Sequence, residues 1–519
     1  MSAGPRSPSS NFWYEVEMAA VRPGGGLAVR DASAALSFSE LCMSAWDVQR
    51  TLQSAGVRPG DRVGIVMGNT TDFAVAYGAV ARMGGVVVAL NPSLPLDALS
   101  AHLDFVKANV VLVAPEHEHI RIPGVMAIPV NRRNGHSNEP ALGDIAAVMP
   151  GDLLSILFTS GTTARPKAVM LSHGNVKTNA ACKKFHLGLT PKDSLLCFVP
   201  VHHCFGQNAI LTAGLMNGCK VELVAGFQRA RIDYLCREGA VSVFFGVPSA
   251  YHTLLSHSAQ FDAGGQQYES VRIFFSAAEK LPVEIGRAWL STFGKPIYEG
   301  YGLTETSPFA TYNGGEGYRE GTIGRPIAGV DVRIRADDGG VITSPLIPGE
   351  LCVRGPNVML GYWRDESATR AAFDSGWLRT GDLGQWTADN RIQIVGRIKD
   401  VINRGGLKIY PEEVERVILD VDGVEDVVVL GLPNEHVGEL PVAFCVLRSE
   451  YHVTEQSLKV ACGVKLPPYK IPVRFYRTGR LRYGSTGKRL RMEPEEYSSM
   501  DSPSDFDDGG GTEGRPFSI

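Results

Sequence analysis

Short apolar runs alternate with longer amphipathic segments through the first half of the chain. Runs rich in β-branched and aromatic residues predict strands over 62–67, 86–90, 110–114, 195–199, 221–224 and 241–245, and the first two flank a predicted helix over 74–82. This alternation predicts an α/β fold in which helices cover two mostly parallel sheets. The glycine and proline signals of residues 337–350 predict hairpins instead, so we expect a β-rich subdomain there.

The pattern changes near residues 396–400. A helix over 410–419 that begins with a proline, followed by strands over 424–432 and 442–447, predicts a small α+β unit. We therefore expect an N-terminal domain over 1–396, a boundary segment at 397–400 and a C-terminal domain over 401–491. Residues 492–519 are acidic, glycine-rich and nearly free of apolar residues, which predicts a disordered tail.

Composition narrows the class of protein. The chain has 519 residues, of which 44% are hydrophobic and 20% charged, as expected of a globular protein with more than one core. A net charge of −4 favours neither nucleic acid nor a membrane as partner. The nine cysteines are dispersed, which disfavours a disulfide framework or a zinc site. No signal peptide or apolar membrane span is recognised, so we expect a cytoplasmic protein.

The segment 157–173, LFTSGTTARPKAVMLSH, lies between two predicted strands, 153–158 and 168–171. Lys167 supplies a positive charge beside a turn whose hydroxyl and backbone N–H groups suit phosphate oxygens. The residues of this turn are Thr159, Ser160, Gly161, Thr162 and Thr163. The spacing differs from that of a Walker loop. A solvated loop between two strands is the alternative, and the lysine that precedes a second strand favours a phosphate site.

Four further segments follow in order: YEGYGLTETSP at 298–308, GWLRTGDL at 376–383, GRIKDVINRGGLKIYPEEVE at 396–415 and STGKRLR at 485–491. Together with the loop, they resemble the motifs of the adenylate-forming superfamily of acyl-CoA synthetases, adenylation domains and luciferases. The resemblance covers residues 25–491. It implies a mobile C-terminal domain, ATP-dependent conversion of a carboxylic acid to an acyl-adenylate, and displacement of AMP by a thiol. The implied cofactors are ATP or AMP, Mg²⁺ and coenzyme A.

The resemblance implies roles for four residues in the chemistry. Lys488 would offset the repulsion between the carboxylate and the α-phosphate, and Thr304 would reach the same phosphate. Glu305 would be the magnesium ligand, since a hard cation prefers oxygen donors. His203, in PVHHCFG, would gate the thiol channel. Taken singly, each has an ordinary alternative: Lys488, for example, could be an exposed lysine in a basic run.

The other implied contacts concern the nucleotide, the hinge and the thiol. Asp382 would accept both ribose hydroxyls, supported by Arg397, and Tyr301 would lie against adenine. The remaining nucleotide-binding candidates are Ala278, Glu279, Glu299, Gly300, Gly302 and Ile394. Lys399 matches the hinge, and Gly405, Gly406 and Lys408 match the loop that lines the coenzyme A tunnel.

Ala164 and Ala168 stand where the family's phosphate loop has glycine. A left-handed residue other than glycine costs about 1–2 kcal/mol, so two such positions could slow adenylation about 30- to 1,000-fold. The loop grips pyrophosphate only in the first half-reaction. The hypothesis is that adenylation is weakened, that thioester formation persists, and that a separate adenylating enzyme supplies the acyl-adenylate. Glu279 and Lys280 also place charge where small apolar residues are usual.

Three other functions stay open at this point: an adenylating enzyme that loads a carrier protein, a luciferase-like oxidase, and an adenylate-binding protein without catalysis. The acid is undetermined, and its pocket would draw on His203, Val247 and Gly300. The small residues Gly246, Ala277, Ala278 and Gly300 favour a bulky acid, such as a terpenoid or aromatic natural product.

Overall fold

The computed structural model describes residues 6–22, 25–115, 120–130, 145–159, 167–258 and 268–481, and the backbone of 504–505. The chain forms two compact units. The first comprises Met1–Val332 and Cys352–Arg379, and the second comprises Arg333–Leu351 and Thr380–Ile519.

The strands of the first half are β1 (Leu27–Arg30), β2 (Ala35–Ser37), β3 (Arg62–Val66), β4 (Val86–Leu90), β5 (Val110–Val113), β6 (Met126–Pro129), β7 (Leu153–Thr159), β8 (Lys167–Ser172), β9 (Ser194–Cys197), β10 (Lys220–Leu223), β11 (Val243–Gly246), β12 (Ile273–Ser276), β13 (Ile297–Tyr301), β14 (Thr311–Asn313) and β15 (Arg325–Pro326). Those that follow are β16 (Asp331–Arg335), β17 (Val341–Ile342), β18 (Gly349–Arg354), β19 (Gly361–Tyr362), β20 (Phe373–Asp374), β21 (Trp377–Trp386), β22 (Ile392–Arg397), β23 (Ile402–Arg404), β24 (Leu407–Ile409), β25 (Val424–Asn434), β26 (Gly438–Leu447), β27 (Arg474–Arg477) and β28 (Ser504–Asp505).

The α-helices of the described residues are α1 (Trp13–Ala20), α2 (Phe38–Ser54), α3 (Thr71–Arg82), α4 (Leu96–Val106), α5 (His173–Leu187), α6 (Ala213–Met216), α7 (Arg229–Arg237), α8 (Pro248–Ser256), α9 (Val283–Phe293), α10 (Glu366–Ala372), α11 (Pro411–Leu419) and α12 (Glu455–Lys465). A π-helical segment, Phe205–Thr212, precedes α6. None of the helices in the described ranges is both long and apolar enough to cross a lipid bilayer.

Two sheets form the centre of the first unit, and both are mostly parallel. One has the order β15-β14-β13-β12-β11-β9-β10-β1-β2, and the other β19-β8-β7-β4-β3-β5-β6. Antiparallel pairs occur at their margins, where β14 joins β13 and β8 joins β7. The predicted α/β fold is thus confirmed, and β4 coincides with the predicted strand 86–90.

A third sheet has the order β17-β16-β18-β21-β20, with β22 paired to β21. The β16–β17 pair is antiparallel, so the prediction of hairpins around residues 337–350 is confirmed there. A fourth sheet, of order β24-β23-β26-β27-β28 with β25 beside β26, belongs to the second unit. Its strand β28 lies within the segment predicted to be disordered, whose other residues lie outside the described ranges.

Two polar residues tie the first unit together inside its core. Arg82 of α3 is fully buried, and its Nε lies 2.6 Å from Glu17 Oε1 of α1. Asn69, which follows β3, donates through Nδ2 to the carbonyls of Cys197 and Val199 at the end of β9. Because the Asn69 bonds fix the chain just before His203, the core positions part of the site described below.

Candidate active site

The segment after β13 carries Thr304 and Glu305 in a short 3₁₀ turn, Thr304–Thr306. Thr306 Oγ1 accepts from Leu303 N at 2.9 Å and donates to Pro308 O at 2.7 Å, which closes the turn. A Cβ at Gly302 would overlap the carbonyl oxygen of Pro308, so only glycine fits there. Thr304 and Glu305 are therefore held on a tightly folded loop.

Two buried asparagines fix this loop from outside it. Asn179 of α5 donates through Nδ2 to Thr306 O and Phe309 O at 3.3 and 2.9 Å. Asn357 donates to the same two carbonyls at 3.1 and 2.7 Å. Both side chains are less than 2% exposed. The sequence analysis did not select either residue, because a single asparagine carries no motif.

Tyr362 connects the loop to the predicted phosphate-binding lysine. Its hydroxyl donates to Glu305 Oε1 at 2.8 Å. Lys167 Nζ lies 4.8 Å from the centroid of the same ring, within range of a cation–π contact. Burial and the neighbouring Glu305 carboxylate both raise the pKa of Tyr362, so its hydroxyl stays protonated and donating. The sequence analysis did not select Tyr362, because this residue lies outside all of the quoted motifs.

Lys167 opens β8 and pairs in register with Thr159 at the end of β7. Thr159 Oγ1 lies 3.4 Å from Lys167 O, so the two ends of the predicted phosphate loop are adjacent. Ser160, Gly161, Thr162, Thr163 and Ala164, which join them, lie outside the described residues, as does Lys488.

Ala168 corrects part of the sequence-based expectation. It lies within β8 opposite Phe158, is 2% exposed, and is absent from the residues with positive φ. Its carbonyl accepts from Trp363 N at 2.8 Å, a bond between β8 and the residue after β19. The predicted left-handed strain at this position is therefore wrong, because Ala168 is an ordinary strand residue.

The adenine-side candidates lie at the ends of β12 and β13. Ala278 has a left-handed φ of 73°, and Glu279 and Lys280 follow it, partly exposed. Glu299 is 7% exposed and accepts from Leu281 N and from the Asn313 side chain. Burial raises the pKa of Glu299 to about 8, so the carboxyl is mainly protonated at neutral pH. A protonated carboxyl can both donate and accept, as the amide common in the family does.

Gly300 and Tyr301 end β13, and the space beside Gly300 is filled. A Cβ there would lie 2.6 Å from Phe309 Cε1 and would also overlap the Phe275 ring. A Cβ at Gly246 would similarly lie 2.8 Å from the Tyr251 ring. The inference of a large acid pocket from these two glycines is thus wrong, because aromatic rings occupy the volume that their missing side chains leave.

His203 lies just before the π-helical segment. Its backbone N–H donates to Pro200 O at 3.0 Å, and its backbone carbonyl accepts from Gln207 N at 2.9 Å. Its ring centroid is 4.7 Å from that of His202. Burial lowers the pKa of His203, which favours the neutral imidazole at pH 7. A neutral ring can change position without the cost of moving a charge through a partly buried site.

In the second unit, Asp382 of β21 pairs in register with Arg397 of β22. Arg397 Nε lies 2.9 Å from Asp382 Oδ1, and Asp382 is 5% exposed. Ile394 is half-buried on β22, opposite Gly384. The two residues assigned to the ribose are therefore brought together by an antiparallel pair of strands.

The hinge and coenzyme A candidates are on the surface of this unit. Lys399 is exposed in a 3₁₀ turn, Ile398–Asp400. Gly405 and Gly406 form the β23–β24 turn with φ of 59° and 83°, values that favour glycine. Lys408 Nζ lies 2.6 Å from Asp337 Oδ2, a pairing that raises the pKa of Lys408.

Comparison with known proteins places this arrangement in a family. The AMP-binding enzyme model matches residues 16–363, and the AMP-binding enzyme C-terminal domain model matches residues 413–488. The chain belongs to the AMP-binding enzyme family. Within it, this AMP-binding enzyme is in the acyl-CoA ligase branch of adenylate-forming enzymes, as its resemblance implied.

Relatives of this AMP-binding enzyme share most of its length. A feruloyl-CoA synthase from an Amycolatopsis species is 30% identical over 472 residues, which cover 90% of this chain and 94% of that protein. A long-chain-fatty-acid–CoA ligase from Bacillus subtilis is 28% identical, with coverage of 88% and 89%. Among solved structures, ATP-bound MatB from Rhodopseudomonas palustris has a TM-score of 0.84 at 27% identity, with coverage of 92% and 97%. The AMP complex of O-succinylbenzoate coenzyme A synthetase from Bacillus subtilis has a TM-score of 0.80 at 28% identity, with coverage of 93% and 98%.

The AMP-binding enzyme is an AMP-forming acid–thiol ligase that uses ATP, Mg²⁺ and coenzyme A. The described residues fit the magnesium ion. Glu305 is a half-buried carboxylate that forms no ion pair with a basic side chain in the described ranges, and its one side-chain hydrogen bond occupies Oε1. Its other oxygen is thus available to a hard cation.

Proposed function

We propose that this enzyme joins a carboxylic acid to coenzyme A through an acyl-adenylate. The observation that carries the proposal is the contact series Lys167–Tyr362–Glu305 in the first unit. This series holds Lys167 beside the predicted phosphate loop, and it holds Glu305, a carboxylate suited to magnesium, on a fixed turn. A cation and a metal ligand are both expected where a nucleoside triphosphate and its magnesium ion bind.

In the first half-reaction, a carboxylate oxygen bonds to the α-phosphorus and pyrophosphate leaves. Two anions approach each other, so catalysis depends on fixed positive charge and oriented donors. Lys488 would supply the charge at the α-phosphate, Thr304 a hydroxyl there, and Lys167 a charge at the departing pyrophosphate. Magnesium held at Glu305 would neutralise phosphate oxygens.

In the second half-reaction, the thiol sulfur bonds to the acyl carbon and AMP leaves, while the thiol proton passes to solvent. Asp382 would hold the ribose and Arg397 would support it. Lys399 would be the hinge, and the turn of Gly405 and Gly406 would approach the pantetheine arm, with Lys408 beside it. Lys408 would have to leave Asp337 to contact coenzyme A, which makes Asp337 a competitor for this lysine.

We further propose that the two half-reactions are unequal because of Ala164. Ala168 adds no strain, so the weakening rests on one alanine rather than two. A single left-handed alanine costs about 1–2 kcal/mol, or about 5- to 30-fold in rate. A separate adenylating enzyme could then supply part of the acyl-adenylate.

The test measures each half-reaction alone. ATP–pyrophosphate exchange follows adenylation, and coenzyme A-dependent consumption of a synthetic acyl-adenylate follows thioester formation. We expect Ala164→Gly to raise exchange about 5- to 30-fold and to leave thioester formation unchanged, with Ala168→Gly as the matched control that raises neither.

Fast exchange in the natural chain that Ala164→Gly does not improve would contradict the imbalance while leaving the ligase proposal intact. Failure of the chain to consume any acyl-adenylate with coenzyme A would contradict the ligase proposal itself. Consumption with the phosphopantetheine of a carrier protein alone would favour the carrier-loading alternative.

A further inference from the structure

The loop after β13 is held at two backbone carbonyls, each of which accepts two side-chain N–H groups. Thr306 O accepts from Asn179 Nδ2 at 3.3 Å and from Asn357 Nδ2 at 3.1 Å. Phe309 O accepts from the same two amides at 2.9 and 2.7 Å. A carbonyl oxygen has two lone pairs and an amide nitrogen has two N–H groups, so every donor of the two amides is used. Asn179 and Asn357 thus form an asparagine clamp on the loop.

Both amides of the asparagine clamp are fixed from their other side. Asn179 Oδ1 accepts from Lys183 Nζ, and because an ammonium can only donate, Asn179 Nδ2 must face the loop. Asn175, one turn earlier on α5, donates through Nδ2 to the carbonyls on either side of Asn357, both at 2.8 Å. A Cβ at Gly355 would lie 2.8 Å from Asn357 Oδ1, so the glycine leaves room for this amide. Helix α5 therefore supports the loop through both members of the clamp.

The clamped loop contains a strained residue. Ser307 lies between the two clamped carbonyls with a φ of 68°, a left-handed conformation that costs energy for any residue except glycine. It is fully buried, and its Oγ has no hydrogen-bond partner among the described residues. Backbone strain of this kind persists only where the surroundings hold the chain in place, and it is concentrated at functional sites. The asparagine clamp supplies such a hold from outside the loop.

The clamp is connected to the predicted magnesium ligand along two short stretches of backbone. Thr306, whose carbonyl the clamp holds, directly follows Glu305. Met359, two residues after Asn357, donates its backbone N–H to Glu305 O at 2.9 Å. A displacement of either segment would therefore move the backbone of Glu305, whereas the contact with Tyr362 acts on the carboxylate alone.

We infer that Asn179 and Asn357 are positioning residues for adenylation, which hold Glu305 where it binds the magnesium ion of the nucleotide. The two amides have no N–H group left for a ligand, so they act through the loop and not by contact with the nucleotide. Thioester formation involves no magnesium pyrophosphate, so the clamp should affect the first half-reaction alone. The inference rests on the proposed acyl-CoA ligase activity.

The experiment removes one amide at a time. Asn179→Leu and Asn357→Leu approximately keep the volume and lose the donors, and Asn217→Leu is the matched control. Asn217 is also buried, but its Nδ2 donates to Ala180 O of α5 at 3.4 Å and to Ala213 O of α6 at 2.7 Å. We expect each clamp variant to slow ATP–pyrophosphate exchange about 10- to 100-fold and to raise the magnesium concentration that gives half-maximal exchange. Thioester formation from a synthetic acyl-adenylate should be unchanged, and the control should change neither half-reaction.

Asn179→Asp separates positioning from stability. Its carboxylate keeps the volume and pairs with Lys183, so the unfolding midpoint should fall less than in Asn179→Leu. The carboxylate cannot donate to the two carbonyls, so exchange should slow at least as much as in Asn179→Leu. If exchange instead follows the unfolding midpoint across these variants, or if both half-reactions slow alike, the inference is overturned.

If the natural chain neither exchanges pyrophosphate nor consumes a synthetic acyl-adenylate, the ligase proposal fails instead. Calorimetric titration with ATP, with and without magnesium, then still decides the inference. The natural chain should bind ATP more tightly when magnesium is present. Asn357→Leu should lower this gain at least about 10-fold, and Asn217→Leu should keep it. An equal gain in the two variants, or no gain in the natural chain, would overturn the inference.

Discussion

Ionisable groups on the loop after β13 and those beside the neighbouring sheet differ in how deeply they are buried. On the loop, Glu305 keeps a hydrogen bond to Tyr362 and remains half-buried, with Lys167 against the same ring. Beside the sheet, Lys183 and Glu299 are almost wholly buried. Burial lowers the pKa of Lys183 and raises that of Glu299, so it favours the neutral form of each.

The difference separates two uses of charge. Lys167 and Glu305, which we propose meet a nucleotide and a metal ion, stay partly exposed, and Tyr362 contacts both of them. The buried groups Lys183 and Glu299 remain costly until something pairs with them or removes their charge. Variants that remove a charge should therefore stabilise the protein beside the sheet and impair catalysis at the loop.

The largest effect on stability is expected from Lys183→Met. A pKa lowered from 10.5 to about 7 corresponds to a destabilisation on the order of 5 kcal/mol when the group is charged in both states. Removing it should raise the unfolding midpoint on the order of 5 °C or more below pH 7. The gain should shrink as pH rises from 7 toward 10.5, because the folded lysine is then neutral and removing the proton from the unfolded chain costs less at each higher pH. Cys182 and Cys204 face this lysine, and both have raised thiol pKa values, so neither becomes a counter-ion near pH 7.

Differential scanning fluorimetry across this pH range, at one heating rate, measures the gain. The contrasting variant is Arg82→Met, since Arg82 is equally buried but paired with Glu17. It should lower the midpoint, because it leaves a buried carboxyl without its partner. Equal losses from both variants would show that Lys183 is already fully compensated, and the comparison would fail.

At the loop, Tyr362→Phe should slow adenylation about 10- to 100-fold, the usual cost of losing a residue that orients a metal ligand. The magnesium concentration that gives half-maximal ATP–pyrophosphate exchange should rise. Thioester formation from a synthetic acyl-adenylate should be unchanged, since no pyrophosphate takes part. This split distinguishes a positioning role from general damage to the fold.

Trp363→Phe is the matched control for this variant. It changes the neighbouring residue, whose indole N–H donates to Phe105 O at 3.3 Å, and it leaves the Glu305 contact intact. If both variants slow both half-reactions alike, Tyr362 acts through packing alone, and the proposed link between Lys167 and Glu305 is lost.

The sequence predicted the loop better than the sheet faces. Motif order selected Thr159, Lys167, Thr304 and Glu305, and the structure brings Lys167 and Glu305 onto one tyrosine. Motifs select such residues because phosphate and metal chemistry demand particular side chains at short, fixed spacings, and the roles of these residues stay predictions. Asp382 and Arg397 were likewise selected, and their contact follows from the register of two strands.

The motifs did not identify residues that act through packing. Lys183 shares a helical stripe with Val176, Ala180 and Leu187, a spacing that could have marked it as buried. The expectation of a spacious pocket failed because a glycine shows only that its own side chain is missing. The rings of Phe275 and Phe309, which fill the space, come from distant positions in the sequence. Ala168 misled for a related reason: its φ is set by pairing with β7 and not by the loop that precedes it.

A comparable effect, on the order of 5 kcal/mol over its titration range, is expected from Glu299→Gln, because its pKa shift is as large as that of Lys183. The folded pKa of about 8 lies above the ordinary value of 4.5, so the stability that this group contributes is complete below pH 4.5 and is lost as pH rises toward 8. The amide keeps the hydrogen bonds and cannot ionise. The variant should therefore gain stability relative to the natural chain between pH 5 and pH 8, as measured by urea denaturation. A constant difference at all pH values would show that Glu299 ionises normally.

The smallest effect concerns Ala278, whose φ of 73° places an alanine in the left-handed region beside the adenine-side candidates. Ala278→Gly should be neutral to stabilising by up to about 1 kcal/mol, because relief of about 1–2 kcal/mol of strain exceeds the added entropy of the unfolded glycine. Ala277→Gly is the control: this neighbour is 5% exposed and has no positive φ, so it should lose about 0.5–1 kcal/mol. Urea denaturation of the two variants should thus give changes that differ in sign or clearly in size. If both lose stability equally, the strain at Ala278 is absent, and the adenine-side turn is as relaxed as the strand that precedes it.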